Sequence, residues 1–469
     1  MKETLGYLSI FIYIYALIFP IGNWIKDKAD VEISRKVIHI MLILVWCLIE
    51  FFFRNTIHQI IIPVVFIALN TLSYRYHIYR SVEREEINHK GTIYFAVAIS
   101  AIMITSYFYP SLFLSGGAAI VCLTTGDGTA AIIGYRYQSR SIRSHKSLYG
   151  TLACFISSAF GLIIYKLIYK PTFLWSDIVI ISAIASVLEL TENGFDNITM
   201  TCGVFIITGM LCHSADIVLR ISLIIAITIF FVVFLSKAIT YAGSIVSFLI
   251  VFAFSYFGGS LSILYLLGSY FTIFIIGVIK KKKIKINNSP QIRNVVQIVV
   301  NGCMGTIFII LYGLSKERRF LVLSLIGIGG CFIDSIASDI GTISKKPPYD
   351  FIRKKAVPPG ISGGISMLGT FSALAFSIIL LAFSYIIIGL RINESILIGG
   401  ASFAQSILDT VFGSLIQAKY QCVECNMLIE TEKHCGQYAH KISGLRWVNN
   451  NTVNLLSSCS VTLFSILLL

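Results

Sequence analysis

Polar side chains that could perform phosphate chemistry occur at the ends of apolar segments in the first half of the chain, where ionisable groups are costly and usually functional. Carboxylates and asparagine are ligands that Mg²⁺ prefers. Lysine and arginine neutralise phosphate, and glycines let backbone N–H groups approach it. The residues of this set are Arg35, Lys36, His39, Gly126, Asp127, Gly128, Lys146, Ser147, Gly150, Glu189, Glu192, Asp196 and Asn197. They indicate phosphoryl transfer, with Asp127, Glu189, Glu192 and Asp196 as Mg²⁺ ligands.

A second polar set follows Lys237. Its members are Asn294, Gln297, Asn301, Asp334, Asp339, Gly360, Gly363, Gly364, Ser366, Asp409, Gln417, Asn450, Asn451 and Asn454. A single polar stripe on a membrane helix is often interhelical hydrogen bonding worth ~1 kcal/mol. Three aspartates in two apolar segments favour a second Mg²⁺ site, with Asp334 and Asp339 as ligands and Asp409 in a catalytic position. Since Asp334 and Asp339 lie about 140° apart on an ideal helix, we expect one to serve the site and the other to cap or pack.

A cysteine and histidine cluster lies between the last two apolar segments. Cys422 and Cys425 have zinc-ligand spacing, and His434 and Cys435 follow within the same loop. This pattern leaves two interpretations open, a structural zinc site and a reduced loop without metal.

The elements that position these residues are membrane spans. The chain has 469 residues, of which 56% are hydrophobic and 13% charged, against about 25% charged in soluble domains. A helix needs ~20 apolar residues to cross a bilayer, which predicts about sixteen spans and excludes a soluble enzyme and a single-anchor protein. The spans lie near residues 5–25, 37–53, 57–74, 92–109, 112–134, 148–168, 173–190, 198–213, 217–235, 239–257, 260–279, 295–313, 320–342, 364–388, 396–416 and 452–469.

The net charge of +14 reflects topology more than nucleic-acid binding. Of the 37 lysines and arginines, 28 fall in alternate loops on one side of the predicted spans. By the positive-inside rule this side is cytoplasmic and both termini face outward. Both polar sets then face the compartment that holds nucleotides, and nucleic acid is not an expected partner.

The motifs of the first half resemble those of the CTP-dependent lipid-alcohol kinases, which include phytol, dolichol and polyprenol kinases. The resemblance rests on R-K-x-x-H at Arg35, G-D-G-T-A-A at Gly126, H-K-S-x-x-G-T at His145 and E-x₆-D-N-x-T at Glu189. It covers roughly residues 1–225. It implies that Asp127, Lys146, Ser147, Gly150, Glu189, Asp196 and Asn197 occupy the CTP and Mg²⁺ positions.

The second half resembles a family of integral membrane proteins that includes plant phytyl-phosphate kinase and transmembrane protein 19, the DUF92 type. The ordered motifs begin at Arg293, Asp334, Val357, Asp409 and Asn450, over roughly residues 237–469. Asp339 stands where the family usually has Glu, which preserves a carboxylate. Ile361-Ser362 replaces a usual Thr-Asn, which puts the nucleotide preference of this half in doubt.

The two halves also share an order of residues. Asp127, Ala130, Gly134 and Gly150 are followed in the second half by Asp334, Ala337, Gly341 and Gly369. We therefore expect an all-α multi-pass membrane protein built from two related bundles. The expected domains are residues 1–230, similar to phytol and dolichol kinases, and residues 237–469, similar to prenyl-phosphate kinases.

The resemblances imply a bifunctional isoprenoid salvage kinase. The first half would phosphorylate a prenol with CTP, with Asp127 or His39 as candidate base. The second would convert the prenyl phosphate to the diphosphate with a nucleoside triphosphate. The alternatives are a cytidylyltransferase that forms a CDP-lipid and a multi-span secondary transporter, which would also contain repeats and broken helices.

Overall fold

The computed structural model describes residues 2–54, 56–76, 91–137, 139–143, 146–191, 196–237, 239–284 and 292–469. The chain separates into two compact units, Met1–Ile221 and Ser222–Leu469. Each consists mainly of helices, with short two- or three-residue strands and one four-residue strand in the loops. The prediction of an all-α architecture is confirmed, since the described residues form no closed sheet.

Unit 1 is built from apolar helices joined by short connections. They are α1 (Lys2–Ala16), α2 (Gly22–Lys28), α3 (Val31–Met41), α4 (Ile43–Phe53), α5 (His58–Tyr76), α6 (Gly91–Phe108), α7 (Phe113–Val121), α8 (Gly128–Arg136), α9 (Leu148–Tyr169), α10 (Asp177–Glu189) and α11 (Asp196–His213). Two π-helical turns continue α1 and α7, at Leu17–Ile21 and Cys122–Asp127, and a 3₁₀ turn at Pro110–Leu112 precedes α7. The antiparallel strands β1 (Ser141–Arg143) and β2 (Lys146–Ser147) connect α8 to α9.

Unit 2 contains longer helices. They are α12 (Ile217–Leu235), which begins at the end of unit 1, α13 (Tyr241–Ile284), α14 (Val295–Ser315), α15 (Arg318–Gly341), α16 (Met367–Ile386), α17 (Ile392–Leu415) and α18 (Asn450–Phe464). A 3₁₀ turn follows at Ser465–Leu468. Helix α13 breaks at Gly259, whose φ of +75° is a conformation that glycine adopts without a Cβ penalty.

The strands of unit 2 lie in two loops. The hairpin β3 (Tyr349–Asp350) and β4 (Lys355–Ala356) follows α15. The loop between α17 and α18 contains β5 (Lys419–Gln421), β6 (Leu428–Ile429), β7 (Lys433–His434), β8 (Gln437–Tyr438) and β9 (His440–Ser443). Strand β5 pairs antiparallel with both β6 and β9, and β7 pairs with β8.

The helices account for the predicted spans. Among the described residues, twelve segments are long and apolar enough to cross a membrane. One of them is the kinked α13, which contains two predicted spans, and the remaining three spans correspond to α5, α10 and α11. The count of about sixteen is therefore consistent with the structure.

Each unit has one central span, and that span holds the first aspartate of its polar set. The segments Pro110–Arg136 and Arg318–Gly341 are each 72% buried inside the protein, whereas the other candidate spans are 22–44% buried. Both are rich in glycine and other small residues, which lets neighbouring helices approach closely. Asp127 and Asp334 are thereby held among packed helices, away from the lipid-facing surface.

Candidate functional site

Helix α3 and the central span of unit 1 meet through a buried ion pair. The Nζ atom of Lys36 lies 2.5 Å from Oδ2 of Asp127, and both side chains are less than one tenth exposed. His39, one turn further along α3, places Nε2 3.5 Å from the same oxygen. It also lies 3.1 Å from the carbonyl oxygen of Leu123. Because both neighbours of Nε2 are acceptors, this network assigns the ring proton to Nε2 and leaves Nδ1 as the basic nitrogen.

A π-helical turn sets the position of Asp127, the last residue of Cys122–Asp127. Thr124 and Thr125 precede it, and their hydroxyls donate to the carbonyl oxygens of Ile120 and Val121 at 2.8 and 2.7 Å. Such hydroxyls compete for helical carbonyls and disturb the regular ladder. Single π turns frequently occur at functional sites. Thr-Thr-Gly before Asp127 is only a weak sequence signal for this turn, which could not be predicted from it.

Lys146 joins three segments of unit 1. Its Nζ lies 2.6 Å from Oε1 of Glu189 at the end of α10 and 3.2 Å from Oδ2 of Asp196 at the start of α11. Burial lowers the pKa of Lys146, but the two carboxylates raise it by more, so the net pKa lies well above the usual range. The second oxygen of Glu189 is buried and has no hydrogen-bond partner among the described residues. It is a free acceptor beside a positive charge.

A backbone contact between α8 and α9 fixes the hairpin that contains Lys146. Ser147 caps α9, and its hydroxyl accepts from the amide of Gly150 at 3.2 Å. A Cβ added to Gly150 would lie 2.9 Å from the carbonyl oxygen of Ala130 and 3.5 Å from Cα of Gly134. Only glycine permits this approach.

The other predicted residues of unit 1 have contacts within the protein. Arg35 pairs with Glu32 on α3, and Asn197 donates to the carbonyl oxygen of Gly91 at 2.8 Å. Gly126 and Gly128 are buried against side chains, since an added Cβ would lie 2.4 Å from Ser158 Oγ or from Ile40 Cγ1. Packing thus accounts for both glycines, and a role in cofactor binding stays a prediction. Glu192 lies outside the described residues.

An apolar cavity of about 110 Å³ reaches this cluster inside unit 1. Its walls are formed mainly by aliphatic and aromatic side chains, among them Leu42, Trp46, Ile49, Ile62, Phe66, Phe95 and Ile99. The polar residues of its lining are Arg35, His39, Asn70, Thr92 and Asn197. The cavity combines a hydrocarbon wall with a small set of polar groups, which is typical of a ligand site. The cavity could not be predicted from the sequence, because its lining comes from seven separate helices.

The aspartates of unit 2 lie on two packed helices, α15 and α17. Asp334 is near enough to Asp409 and Asp339 for their charges to interact. Asp409 accepts from the hydroxyl of Ser457 at 3.1 Å. With its amide oriented to suit its neighbours, Asn454 donates to the same Asp409 oxygen at 2.9 Å. The amides of Asn454 and Asn301 lie within 3.3 Å, so four helices contribute to this cluster.

Other members of the second predicted set have structural contacts. Asp339 pairs with Lys280 at 2.8 Å, partly exposed at the helix end. Asn294 and Gln297 form a reciprocal capping box at the start of α14. These contacts explain the positions of Asp339, Asn294 and Gln297 even when no ligand is bound. Their predicted binding roles stay predictions.

A Pro–Gly loop, residues 357–366, approaches the start of α18. Gly360 and Gly363 have φ of +89° and +86°, which only glycine adopts readily. The amide of Ser362 donates to Oε1 of Glu430 at 2.6 Å, and its carbonyl accepts from Nζ of Lys419 at 2.7 Å. Its hydroxyl lies 3.5 Å from the amide oxygen of Asn450. Sequence reasoning missed Lys419 and Glu430 because their partner is backbone.

The same glycine contact recurs in unit 2. Ser366 caps α16 and accepts from the amide of Gly369 at 3.1 Å. A Cβ added to Gly369 would lie 2.7 Å from the carbonyl oxygen of Ala337 and 3.3 Å from Cα of Gly341. Both units therefore place a serine-capped helix directly against the helical turns that follow the first aspartate.

Three further residues complete the second predicted set. Gln417 is fully buried, and neither end of its amide has a hydrogen-bond partner among the described residues. Gly364 lies in the Pro–Gly loop, and Asn451 lies in the first turn of α18. The ligand atoms of the cysteine–histidine cluster come together, as described below.

Comparisons with known proteins identify one family and one relative. Residues 221–462 match the model of the family described as integral membrane protein DUF92. The chain is 29% identical to a phytol kinase of Synechocystis sp. over 193 residues, which cover 37% of this chain and 76% of that protein. No solved structure matches the chain.

Proposed function

The chain belongs to the DUF92 family of integral membrane proteins, and from this membership and its similarity to a phytol kinase we propose that it phosphorylates isoprenoid alcohols within the membrane. Unit 1 converts a prenol to the prenyl phosphate with CTP. Unit 2 converts the prenyl phosphate to the diphosphate with a nucleoside triphosphate. The two reactions together constitute a salvage route for free prenols.

The observation that carries the proposal is the apolar cavity with His39 in its lining. A prenol is a hydrocarbon with one hydroxyl group, and the cavity supplies an apolar wall and few polar side chains. His39 links that wall to Asp127 at 3.5 Å. A hydrocarbon tail held there would place its hydroxyl beside the charged cluster of unit 1.

The charged cluster suits a magnesium nucleotide. Asp127, Glu189 and Asp196 offer only oxygen atoms, which Mg²⁺ prefers, and the unpartnered oxygen of Glu189 is available to a ligand. These three residues would hold the ion, which neutralises charge on the transferring phosphoryl group. Lys36 and Lys146 now pair with the carboxylates and would balance the phosphates of CTP.

The proposed reaction of unit 1 requires a base. The prenol oxygen attacks the γ-phosphorus, the bond to the β-phosphate oxygen breaks, and CDP leaves. His39 lines the cavity and has Nδ1 free of the proton, so it accepts the hydroxyl proton. Asp127 contacts Nε2 of His39 and orients the ring, as carboxylates orient histidine bases elsewhere.

Unit 2 needs no corresponding base. Its nucleophile is a phosphate monoester, which is already ionised near neutral pH. Asp334 and Asp339 would hold Mg²⁺, with Asp409 beside them. The buried amide of Gln417 and the Pro–Gly loop supply polar groups for the nucleotide. The repeated serine cap and glycine contact support a related transferase architecture in both units.

The test is a product assay with the purified full chain in lipid nanodiscs. Radiolabelled prenol, CTP and Mg²⁺ are supplied, and mono- and diphosphates are separated for wild type, Asp127→Asn and Asp334→Asn. We expect Asp127→Asn to abolish both products and Asp334→Asn to accumulate monophosphate. Asp216→Asn, outside both clusters, is the matched control. Absence of monophosphate accumulation in Asp334→Asn would overturn the two-step assignment.

The released nucleotide distinguishes the proposal from cytidylyl transfer. A kinase releases CDP, whereas a cytidylyltransferase releases pyrophosphate and forms a CDP-lipid. Pyrophosphate release in step with prenol consumption would refute the kinase assignment. Both sites are proposed to face the cytoplasm, where nucleotides are found, and the charge bias of the loops supports this orientation.

A further inference from the structure

The loop between α17 and α18 brings together four side chains of a metal-binding type. One ligand atom from each of Cys422, Cys425, His434 and Cys435 lies within 4.8 Å of all the others. Nδ1 of His434 is 3.4 Å from Sγ of Cys425 and 3.2 Å from Sγ of Cys435. The Sγ atoms of Cys425 and Cys435 are 4.0 Å apart, and the three cysteines form no disulfide.

These separations match a tetrahedral zinc site. With Zn–S bonds of ~2.3 Å and Zn–N bonds of ~2.0 Å, the edges of the tetrahedron are roughly 3.5–3.8 Å long. The three distances among Cys425, His434 and Cys435, 3.2–4.0 Å, lie on either side of these values, and the Cys422 sulfur lies within 4.8 Å of the other ligand atoms. Only small side-chain movements are needed to centre an ion among the four atoms.

Two tight turns present the ligands in pairs. The first joins β5 to β6, and there the amide of Asn426 donates to the carbonyl of Cys422 at 3.0 Å. The second joins β7 to β8 and contains Cys435 with φ of +50°. A left-handed conformation is costly for a side chain with a Cβ. Here it turns the Cys435 thiol towards His434.

We propose that this cluster is a structural zinc site that holds the Pro–Gly loop of unit 2. Four protein ligands leave no open position, which is the arrangement of structural zinc. Lys419 begins β5, and Glu430 follows β6, so both are attached to the first zinc turn. Their side chains bind the carbonyl and the amide of Ser362. Zinc thereby fixes the two contacts that hold the Pro–Gly loop.

Metal content tests the site independently of any enzymatic activity. The full chain is purified without chelator, and zinc is measured by inductively coupled plasma mass spectrometry. We expect about one zinc per chain in wild type. We expect at least a fivefold lower content in Cys425→Ser and in Cys435→Ser. Cys212→Ser, a cysteine of unit 1, is the matched control and retains zinc.

A measurement of thiol reactivity on wild-type protein tests the site even if a variant does not fold. Wild-type protein is treated with a chelator and then alkylated with or without added ZnCl₂, and the modified cysteines are identified by mass spectrometry. Zinc should protect Cys422, Cys425 and Cys435 together. Wild-type protein that contains no zinc and gains no protection from ZnCl₂ overturns the proposal.

The link to the Pro–Gly loop has its own readout, which rests on the proposed function of unit 2. Loss of zinc should reduce the second phosphorylation at least tenfold and leave the first unchanged, so monophosphate accumulates. Glu430→Gln should retain zinc and reproduce part of this loss. If zinc is present but its removal does not affect the second reaction, the metal site stands and its role at the Pro–Gly loop is refuted.

Discussion

Lys36 and Asp127, 91 residues apart in the sequence, form a buried ion pair in which Nζ and Oδ2 are separated by 2.5 Å. The pair joins α3 to the central span of unit 1. In the proposed reaction the pair also holds Asp127 in place, and Asp127 orients the ring of His39. Stability and catalysis can be separated at this pair, because the two roles respond differently to substitution.

Removal of one partner should destabilise unit 1 strongly. Lys36→Met leaves a buried carboxylate without its counter-charge, which costs about 3–5 kcal/mol. The double variant Lys36→Met/Asp127→Leu removes both charges and should regain most of this loss. Neither variant should phosphorylate prenols. Thermal unfolding in nanodiscs and the product assay measure the two effects.

The control for this pair is Arg319→Met, which removes an exposed ion pair with Glu317. Exposed pairs contribute about 0–1 kcal/mol. If the double variant recovers prenol kinase activity together with stability, Asp127 has no direct role in the reaction.

Gly369 and Gly400 offer a comparison of two helical glycines in unit 2. In Gly369→Ala the new methyl group meets the carbonyl of Ala337 at 2.7 Å, so α16 must move. Overpacking of this kind costs about 1–3 kcal/mol, and we expect at least a tenfold loss of the second phosphorylation. Gly400→Ala meets nothing within 4 Å. It should be neutral or gain up to ~1 kcal/mol.

The same measurements decide whether the glycine contact matters for function. Initial rates of diphosphate formation are compared with the unfolding midpoints of both variants. Equal second-step activity in Gly369→Ala and Gly400→Ala would contradict the proposed dependence on close helix contact.

The apolar cavity should determine the length of prenol that unit 1 accepts. Ala96 lines the cavity and is buried, so Ala96→Leu fills space that a long chain needs. Each methylene that no longer fits costs about 1–3 kcal/mol. We expect kcat/KM for a twenty-carbon prenol to fall roughly tenfold or more relative to a ten-carbon prenol. Competition between the two prenols, followed by mass spectrometry, measures this ratio.

Ala101→Leu provides the control on the same helix, because Ala101 is exposed. It should leave the ratio unchanged. A chain-length preference that shifts equally in both variants would exclude the cavity as the binding site of the hydrocarbon.

The ammonium group of Lys146 should remain charged throughout the working pH range. Its pKa is raised in the folded protein, so the stability it contributes is present below the unfolded pKa near ~10.4 and is lost only as pH rises through the higher folded value. Between pH 7 and 9 its ionisation should cause no decline in the first phosphorylation.

Two substitutions check this behaviour. Lys146→Arg keeps the charge, and its pH–rate profile should be parallel to that of wild type over pH 7–9. Lys146→Gln should reduce the rate at least a hundredfold at every pH. An alkaline decline that disappears in Lys146→Arg would show that Lys146 titrates in this range.

The features that could be predicted are those encoded by short stretches of sequence. Apolar length locates the helices, and the acids at their ends identify the carboxylates that lie in each cluster. The pairing of residues far apart in the sequence, such as Lys36 with Asp127, could not be predicted. Asn294 and Gln297 fit two patterns in the sequence, a polar face for binding and an Asn-x-x-Gln helix cap, and the structure shows the cap.

Contacts to backbone were the least accessible to sequence reasoning. Lys419 and Glu430 bind the peptide groups on either side of Ser362, and a peptide group has no sequence signature. The π turn before Asp127 is similar, because it depends on hydroxyl contacts to helical carbonyls that threonines make in many settings.

The backbone contact at Gly150 also limits how unit 1 can move. Where Gly150 lies against Ala130 and Gly134, no side chain separates α8 from α9, so the two helices cannot slide past each other at this point without atomic overlap. Asp127, just before α8, and Lys146, just before the cap of α9, therefore form one rigid body. Substrate entry that widens the cluster is therefore expected to displace a helix outside this contact, such as α3, which contains Lys36 and His39.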